Sequence, residues 1–334
     1  MTVLVTGGCG YIGGHMVHQL VDAGEQVVVL DNLSTGFRSA LPDGVPLHVG
    51  DVGDSQLVAT LIGTHSVKSI IHFAASIVVP DSVRRPLDYY RNNTVNMCAL
   101  LEACVNCGIG HFIFSSTAAV YGNPDAMPVS EQAPTVPMSP YGSSKLMSET
   151  MLRDVAAAHG LRFAILRYFN VAGADPQQRT GQMTAGATHL VKVAIETALG
   201  QRPKLDVFGT NYPTPDGTCI RDYIHVSDLA CAHSMSLSHL RRGGRSVTFN
   251  CGYGHGYSVL EVIEAVKRVS GRNFAVSHAD RRAGDPAAIV ADSAKIQSAL
   301  GWSPRFDNLN TIVAHALAFE RQLAGEGDLK HMHG

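Results

Sequence analysis

A glycine-rich turn between the first predicted strand and the first predicted helix constrains the fold of this chain more than any other feature of its sequence. The turn, Thr6–Gly13, reads TGGCGYIG and follows the apolar run Val3–Thr6. Glycine lacks a Cβ atom, so it permits a tight turn, the approach of a pyrophosphate and close packing of helix on strand. The helix that follows would point its unpaired N–H groups at those phosphates. The segment therefore predicts a dinucleotide-binding site.

Short β-rich runs alternate with longer helical patterns over the first half of the chain. The run Val27–Leu30 is continuously apolar, as expected for a strand buried on both faces of a sheet. This alternation predicts an α/β fold, a Rossmann-type doubly wound parallel sheet with helices on both faces. The predicted strands are Val3–Thr6, Gln26–Leu30, Pro46–Val49, Ser69–Phe73, His111–Ser115 and Arg162–Tyr168, and the predicted helices are Tyr11–Ala23, Ser55–Ile62, Leu87–Cys107 and Pro140–His159.

Beyond about Asn170 the sequence changes character, because glycine, proline and polar loops become frequent and the strands become short. We expect residues 1–170 to form the dinucleotide-binding domain and residues 171–330 to form a smaller α/β substrate-binding domain. Ser227–Leu240 and Val247–Cys251 again have the pattern of a helix and a buried strand. Residues 225–252 are therefore expected to return to the first domain.

The charge balance excludes some classes of partner. The 334 residues carry 26 Lys and Arg against 28 Asp and Glu, a formal net charge of −2, with no long run of either sign. A nucleic-acid or membrane-surface binder normally has a basic excess. No uninterrupted apolar stretch is long enough to span a bilayer, and the N-terminal residues have no signal-peptide pattern. We expect a soluble, cytoplasmic protein without nucleic-acid or membrane partners.

The cysteines and histidines form no metal-binding pattern. The seven cysteines are scattered and odd in number, which indicates a reducing compartment rather than a disulfide framework. Cys104 and Cys107 match C-x-x-C, but they lie in an apolar helical pattern with no second pair. His15 and His18 are one turn apart without further ligands, so they are expected on a helix surface. We predict no metal site.

Asp31 bears on which dinucleotide is bound. It ends the second predicted strand, where a carboxylate can accept hydrogen bonds from the adenosine ribose hydroxyls. The same negative charge would repel a 2′-phosphate. The sequence therefore favours NAD over NADP.

A tyrosine and a lysine four residues apart begin the predicted helix Pro140–His159, and this spacing puts Tyr141 and Lys145 on one helical face. A phenol, with a pKa of about 10, is a poor base at neutral pH. A unit positive charge about 4 Å away contributes on the order of 4 kcal/mol at an effective dielectric of about 20, or roughly three pKa units. Such pairs are common on exposed helices. After a dinucleotide turn and the strand end Ser115–Thr117, however, this pair favours a catalytic base.

With these motifs the chain resembles the extended short-chain dehydrogenases/reductases, and most closely the UDP-glucose (UDP-galactose) 4-epimerase family, from about residue 2 to about residue 320. The stretch Phe208–Asp228 is the most diagnostic part. The other segments that carry the resemblance are Thr6–Gly13, Asp31–Leu33, Gly50–Val52, His72–Ala75, Ser115–Gly122, Ser139–Glu149, Arg167–Gly173 and Arg281–Asp292.

Carried over position by position, the resemblance implies that Thr117, Tyr141 and Lys145 form the catalytic set, with NAD as cofactor and a UDP-sugar as substrate. Thr117 stands where many members have Ser, and its hydroxyl can make the same hydrogen-bond bridge to the sugar. The cofactor-binding residues are then Gly7, Gly10, Tyr11, Ile12, Gly13, Asp31, Asn32, Asp51, Val52, Phe73, Ala74, Ala75, Asn92, Ser115, Tyr141, Lys145 and Phe169. The substrate-binding residues are Thr117, Tyr141, Asn170, Arg221, Tyr223, Arg282, Asp285 and Ile289.

Three positions qualify the substrate and cofactor sites. Arg221 and Arg282 suit a diphosphate, since a guanidinium donates bidentately to phosphate oxygens, although ordinary salt bridges are the alternative interpretation. Ile77 stands where some members have a lysine that reaches the cofactor phosphates, so that contact is missing. Ile289 corresponds to a sugar-pocket position at which, by the resemblance, large aromatic residues go with plain hexoses and small residues with N-acetyl sugars. Its intermediate size predicts weaker but detectable activity on N-acetyl sugars.

The residues after Thr117 favour one reaction within this group. Related dehydratases and decarboxylases have carboxylates there, whereas this chain has Ala118 and Ala119, which cannot act as acid or base. Hydride transfer out and back at C4, with Tyr141 as base and no elimination, is therefore predicted for UDP-glucose and UDP-galactose. The open alternatives are an epimerase of UDP-N-acetylglucosamine or a UDP-pentose, a net oxidoreductase, and a non-catalytic NAD-sensing protein.

The resemblance also implies a homodimer through the predicted helices Leu87–Cys107 and Pro140–His159. These helices carry more apolar residues than one sheet face needs. The apolar residues in question are Leu100, Leu101, Leu146, Met147, Met151 and Leu152.

Overall fold

A computed structural model of the chain describes residues 1–282 and 285–331. The strands are β1 Thr2–Thr6, β2 Gln26–Asp31, β3 Leu47–Val49, β4 Val67–His72, β5 His111–Thr117, β6 Arg162–Tyr168, β7 Asn170–Ala172, β8 Leu205–Phe208, β9 Ile220–Arg221, β10 Tyr223–His225, β11 Val247–Cys251, β12 Tyr257–Ser258, β13 Val276–Ala279 and β14 Ala288–Ile289. The helices are α1 Tyr11–Asp22, α2 Ser55–Thr64, α3 Val79–Arg84, α4 Pro86–Tyr89, α5 Asn96–Asn106, α6 Pro140–His159, α7 Leu190–Ala198, α8 Val226–Arg241, α9 Val259–Ser270, α10 Ala294–Leu300 and α11 Leu309–His331.

In the described residues, seven strands form one parallel sheet in the order β11-β6-β5-β4-β1-β2-β3. Helices cover both faces. On one face α1 and α8 pack in a core cluster that includes Met16 and Leu229, and on the other α2, α5 and α6 pack in a second cluster that includes Leu100 and Leu152. The predicted doubly wound parallel fold is confirmed.

The strand order of the sheet reverses beside β1, because β2 and β3 lie on one side of it and β4, β5 and β6 lie on the other. In sheets of this kind, ligands bind outside the carboxyl ends of the strands at that point. The glycine-rich turn leaves β1 there, and α6 begins beside the carboxyl end of β5. The topology therefore brings the two predicted motifs to the same edge of the sheet.

The later part of the chain contributes small sheets and helices that extend the first core cluster. β7 pairs with β10, β9 pairs with both β12 and β14, and β8 pairs with β13. Helices α7, α9 and α11 pack together, and their apolar residues join the same cluster as α1. β11 pairs with β6 at the edge of the central sheet, and α8 packs on β5 and β6. The division into domains at residue 170 stays a prediction.

Local sequence signals place the ends of α6. Ser139 accepts a hydrogen bond from the Gly142 N–H at 3.2 Å, and Pro140 occupies the first turn, where its missing N–H costs nothing. Gly160 ends the helix with φ of +72°. The predicted helix Leu87–Cys107 is less regular, because a π-helical segment, Tyr90–Val95, joins α4 to α5.

His15 and His18 are buried, at 4% and 8% exposure, so their expected place on a helix surface is wrong. The reason is that α1 is covered on two sides. One side packs on the sheet beside α8, while Ala40 and Thr180 close over the other side, within 3.3 Å of the Cβ position at Gly14. Burial lowers the pKa of His15 to about 4.

All seven cysteines are free thiols, and burial raises the pKa of Cys9 to about 12. Within residues 1–282 and 285–331, no group of three or more His, Cys, Asp or Glu side chains could hold a metal ion. No helix in this described part is long and apolar enough to cross a membrane.

Candidate active site

The turn between β1 and α1 packs too closely against neighbouring backbone to accept side chains at two of its glycines. Gly7 has φ of +71°, and a Cβ atom on it would lie 2.5 Å from the Ala74 N atom. A Cβ atom on Gly13 would overlap the Gly7 carbonyl oxygen and lie 2.8 Å from Gly8 Cα. The first turn of α1 then presents its N–H groups at the edge of the sheet. This backbone geometry fits a dinucleotide pyrophosphate.

Asp31 lies buried at the carboxyl end of β2, beside this turn. Its Oδ2 accepts from the Cys9 N–H at 2.9 Å, and its Oδ1 accepts from the Leu33 N–H at 2.8 Å. Each carboxylate oxygen has a second lone pair, so both can still accept from a ribose. The carboxylate is thus oriented by two backbone bonds where the predicted ribose contact needs it.

Asp51 and Val52, predicted beside the adenine, follow β3. The Asp51 carboxylate accepts from the side-chain amides of Asn32, at 3.1 Å, and Asn96, at 2.8 Å, while Val52 is buried. Asn92, predicted to support the cofactor, donates instead to Ser76 Oγ at 2.9 Å. These roles stay predictions.

Other predicted cofactor residues lie at neighbouring strand ends. The Phe73 N–H donates to the Thr6 carbonyl at 2.9 Å, which holds the segment after β4 against β1. The Ser115 hydroxyl is hydrogen-bonded to the Tyr168 hydroxyl, and Phe169 is buried. Tyr11 and Ile12 stand in the first turn of α1, and the remaining positions, Ala74 and Ala75, follow Phe73.

Thr117, Tyr141 and Lys145 come together where β5 ends and α6 begins. All three are buried. Thr117 Oγ1 accepts from the Ala119 N–H at 3.1 Å, and Lys145 Nζ donates to the Ser115 carbonyl at 2.9 Å. The lysine is therefore anchored to the strand that carries Thr117.

Burial controls the ionisation of this set. It raises the pKa of Tyr141 to about 12, although hydrogen bonding with Thr117 opposes the rise, and it lowers the pKa of Lys145 to about 7. The sequence led us to expect that the pKa of Tyr141 would fall by roughly three units. The protein side chains alone do not produce this fall. Both charged forms lose hydration on burial, and this loss is the largest influence on each pKa. A further positive charge near the phenol is needed to make it a base at neutral pH.

Two short strand pairs bring the predicted substrate residues together. Asn170 pairs with Tyr223 between β7 and β10, and Arg221 pairs with Ile289 between β9 and β14. Tyr223 and Ile289 are buried, and Ile289 packs in a cluster with Val120 that adjoins the catalytic strand end. Residues far apart in sequence thus line one side of the site.

The charged residues predicted to bind the substrate lie in and near the strands β9 and β14. Arg221 Nη2 lies 3.7 Å from Asp285 Oδ1, and its Nη1 donates to the Ile220 carbonyl at 2.9 Å. The Arg282 guanidinium stacks 3.8 Å from the centre of the Phe208 ring, so its edge stays available to a ligand. The salt-bridge alternative applies only weakly to Arg221, because 3.7 Å is a loose contact.

Residues that the sequence analysis missed also shape the site. Asp222 is fully buried between Arg221 and Tyr223, and its carboxylate accepts from the N–H groups of Tyr253, Gly254 and Ala291 at 2.9–3.2 Å. A small pocket borders Asn170 and Tyr223, and His189, Gln182 and Lys192 also line it. The residues that contact Asp222 and these pocket side chains are distant from them in sequence, so no local sequence pattern predicts their place in the site.

A profile of the NAD-dependent epimerase/dehydratase family matches residues 3–252. The chain belongs to this family. Among family members, it is 59% identical over 321 residues to the UDP-glucose 4-epimerase of Azospirillum brasilense, a match that covers 96% of this chain and 92% of the relative. The resemblance found in the sequence is confirmed.

Two solved structures of epimerases are similar to this family member over nearly their whole length. The UDP-glucose 4-epimerase of Brucella ovis in complex with NAD superposes with a TM-score of 0.92 at 42% identity, covering 95% of this chain and 97% of that one. The UDP-Glc/GlcNAc 4-epimerase of Campylobacter jejuni superposes with a TM-score of 0.84 at 48% identity, covering 96% and 99%.

Proposed function

We propose that this chain is an NAD-dependent UDP-glucose 4-epimerase, which interconverts UDP-glucose and UDP-galactose. The observation that carries the proposal is the convergence of Thr117, Tyr141 and Lys145 at the sheet edge where the glycine-rich turn joins β1 to α1. The kinship with curated UDP-glucose 4-epimerases supports it.

Tyr141 takes the proton of the sugar C4 hydroxyl and later returns one, while Thr117 bridges to the same hydroxyl. Bound NAD would supply the hydride acceptor and donor for C4, and its nicotinamide ring would supply the positive charge that the buried phenol needs. Lys145, held on the Ser115 carbonyl, contributes a second positive charge. Ala118 and Ala119 offer no group that could move a proton at a neighbouring carbon, so elimination does not compete.

Gly7, Gly13 and Asp31 would hold the dinucleotide, and Arg221, Arg282 and Asp285 would hold the UDP group. We assign this second task to the predicted substrate-binding domain, residues 171–330. Anchoring by UDP leaves the sugar free to turn over in the pocket between the two hydride transfers. The guanidinium edges and the neighbouring apolar cluster around Ile289 support this division of labour.

The test is to incubate the purified protein with UDP-galactose alone, identify the products and measure bound NAD. We expect UDP-glucose without net consumption of added NAD. Tyr141→Phe should lower kcat by about 10²–10⁴-fold without changing the amount of bound NAD. As a control, Tyr90→Phe, which alters a partly exposed tyrosine, should change neither kcat nor the amount of bound NAD. Net NADH formation would indicate an oxidoreductase instead, and no turnover with retained NAD would indicate an NAD-sensing protein.

A second candidate substrate class is the N-acetylated UDP-hexose. The C. jejuni relative is named for both UDP-Glc and UDP-GlcNAc, and Ile289 is smaller than an aromatic residue. We propose weaker activity on UDP-N-acetylglucosamine at the same site. Product analysis with that substrate tests it directly.

We further propose a homodimer through α6 and the segment Leu87–Cys107, which spans most of α4, the π-helical segment and α5, with a corrected set of contact residues. Leu100, Leu101 and Leu152 are buried in the chain's own core against β4 and β5, so they are not available to a second chain. The exposed apolar residues of this surface are Leu87, Val95 and Met147, at 72%, 60% and 47% exposure. Light scattering at micromolar concentration should give a dimer mass for the parent and a monomer mass for Val95→Asp. A monomeric parent would refute the proposal.

The seven free thiols support a reducing location, and we propose the cytoplasm. Fractionation of the native host tests this.

A further inference from the structure

The helix that carries Tyr141 and Lys145 buries a third ionisable side chain on the same face. Glu149 lies one turn beyond Lys145, and its side chain is fully buried. A helix usually turns apolar residues toward the sheet on which it packs. The proposed reaction gives this carboxylate no task, so its burial needs another explanation.

Four hydrogen bonds fasten the Glu149 carboxylate to its surroundings. Oε1 accepts from Ser116 Oγ at 2.6 Å and from Arg167 Nε at 2.9 Å. Oε2 accepts from Arg167 Nη2 at 2.6 Å and from Arg153 Nη2 at 2.7 Å. Burial pushes the pKa of Glu149 upward, but the bonds and charge of Arg167, with help from Ser116 and Arg153, hold that pKa below its ordinary value. Glu149 is therefore an anion at neutral pH.

Lys145 lies one helical turn before Glu149 on the same buried face of α6. Burial lowers the pKa of the Lys145 ammonium to about 7, and the charge of Glu149 opposes that fall. The other titratable groups that face the lysine are neutral near pH 7. Burial lowers the pKa of His72 on β4 to about 3, and it raises the pKa of Tyr168 on β6 and of Tyr141 on α6 itself.

We propose that Glu149 is a positioning residue, which keeps Lys145 protonated and thereby keeps Tyr141 available as a base. It acts through Lys145 and contacts neither substrate nor cofactor in this scheme. The inference rests on the proposed function, since the roles of Tyr141 and Lys145 come from it. Without Glu149 no negative charge would offset Arg167 and Arg153, which bind its carboxylate, and burial would favour the neutral amine of Lys145. A neutral amine cannot stabilise a phenolate.

The direct test follows the titration of Lys145 by NMR of isotope-labelled lysine side chains in the purified protein, with its NAD content measured. A Lys145→Ala sample assigns the resonance. Glu149→Gln keeps the shape of the side chain but removes its charge, so the midpoint should move to lower pH, by about one unit for a charge in this surrounding. The alkaline limb of the pH profile of kcat should move to lower pH with the lysine midpoint. Above the parent's midpoint, kcat should then be about tenfold lower than in the parent, while KM stays within about twofold.

Two matched variants separate charge from structure. Arg167→Gln removes the opposite charge and should move the Lys145 midpoint to higher pH. Ser116→Ala removes a hydrogen bond to the same carboxylate without changing any charge, and it should leave the midpoint in place. Arg167→Gln also keeps the test decisive if Glu149→Gln fails to fold.

An unmoved lysine midpoint in Glu149→Gln, or shifts of the same sign in both charge variants, would overturn the inference. A parent protein that makes no UDP-glucose from UDP-galactose would overturn the proposed function instead, and the NMR titration would still report on Glu149 and Lys145. The two failures are therefore distinguishable.

Discussion

Replacing Lys145 by Met should stabilise the nucleotide-free protein at neutral pH while abolishing its activity. The ammonium is buried, and its pKa falls from the ordinary value of 10.5 to about 7. At about 1.36 kcal/mol per pKa unit, this difference corresponds to ~5 kcal/mol of unfavourable free energy in the folded state at low pH. Met fills nearly the same volume but leaves the Ser115 carbonyl without its donor, which costs ~1–3 kcal/mol. The net gain is then about 2–4 kcal/mol.

The gain must depend on pH with a definite sign. Between pH 7 and 10.5 the unfolded lysine holds a proton that the folded lysine has released. Wild-type stability from this group therefore rises with pH across that range, whereas the Met variant has no such term. The advantage of Lys145→Met should be greatest at and below pH 7 and should shrink by about 1.4 kcal/mol per pH unit above it.

The assay is urea unfolding of nucleotide-free protein over a series of pH values from about 6 to about 9. Lys68→Met, at an exposed position, serves as the matched control and should show the same pH dependence as the parent. A Lys145→Met protein that is less stable than the parent at pH 7 would refute the reasoning. A gain of constant size across the series would refute it equally, because hydrophobic replacement alone has no proton linkage.

Three further perturbations follow from the structure. Gly13→Ala should abolish NAD retention, measured as nucleotide released on denaturation, because its Cβ would overlap the carbonyl oxygen of Gly7. Asp222→Ala leaves three backbone N–H groups, two of them in the buried residues Tyr253 and Ala291, without their acceptor and should cost ~2 kcal/mol or more in urea unfolding. Its KM for UDP-galactose should rise more than kcat falls. Ile289→Tyr places a larger side chain in a packed cluster, which should cost ~1–3 kcal/mol of stability. It should lower the turnover of UDP-N-acetylglucosamine more than that of UDP-galactose. If the turnover of both substrates stays as in the parent, Ile289 is a core residue only.

Local signals predicted the first half of the fold closely. Predicted and observed strands agree to within two residues at each end, and α6 runs from Pro140 to His159 as predicted. Alternation of apolar runs and helical patterns needs only neighbouring residues to be recognised, and so do a capping Ser139 and a terminal Gly160. The same holds for the glycine turn, since steric limits on the backbone act within a few residues.

Burial was harder to predict, because it depends on what packs over a residue. His15 and His18 looked like surface residues until the segment around Thr180 was seen to cover α1. Leu100 and Leu101 looked available to a partner, yet the central sheet buries both. A hydrophobic pattern identifies a buried face and leaves open whether the chain itself or a second chain covers it.

The sequence by itself determined the dinucleotide turn, the order of strands and helices, and the placement of Tyr141 and Lys145 on one helical face. Each of these depends on short-range sterics or on helical periodicity, which a run of neighbouring residues expresses completely. Tertiary structure decided the rest. It paired Asn170 with Tyr223 and Arg221 with Ile289 across long separations, and it set the charge of the catalytic side chains. Ionisation depends on hydration and on nearby charges in space, and only the folded chain buries the lysine and brings Arg167 to Glu149.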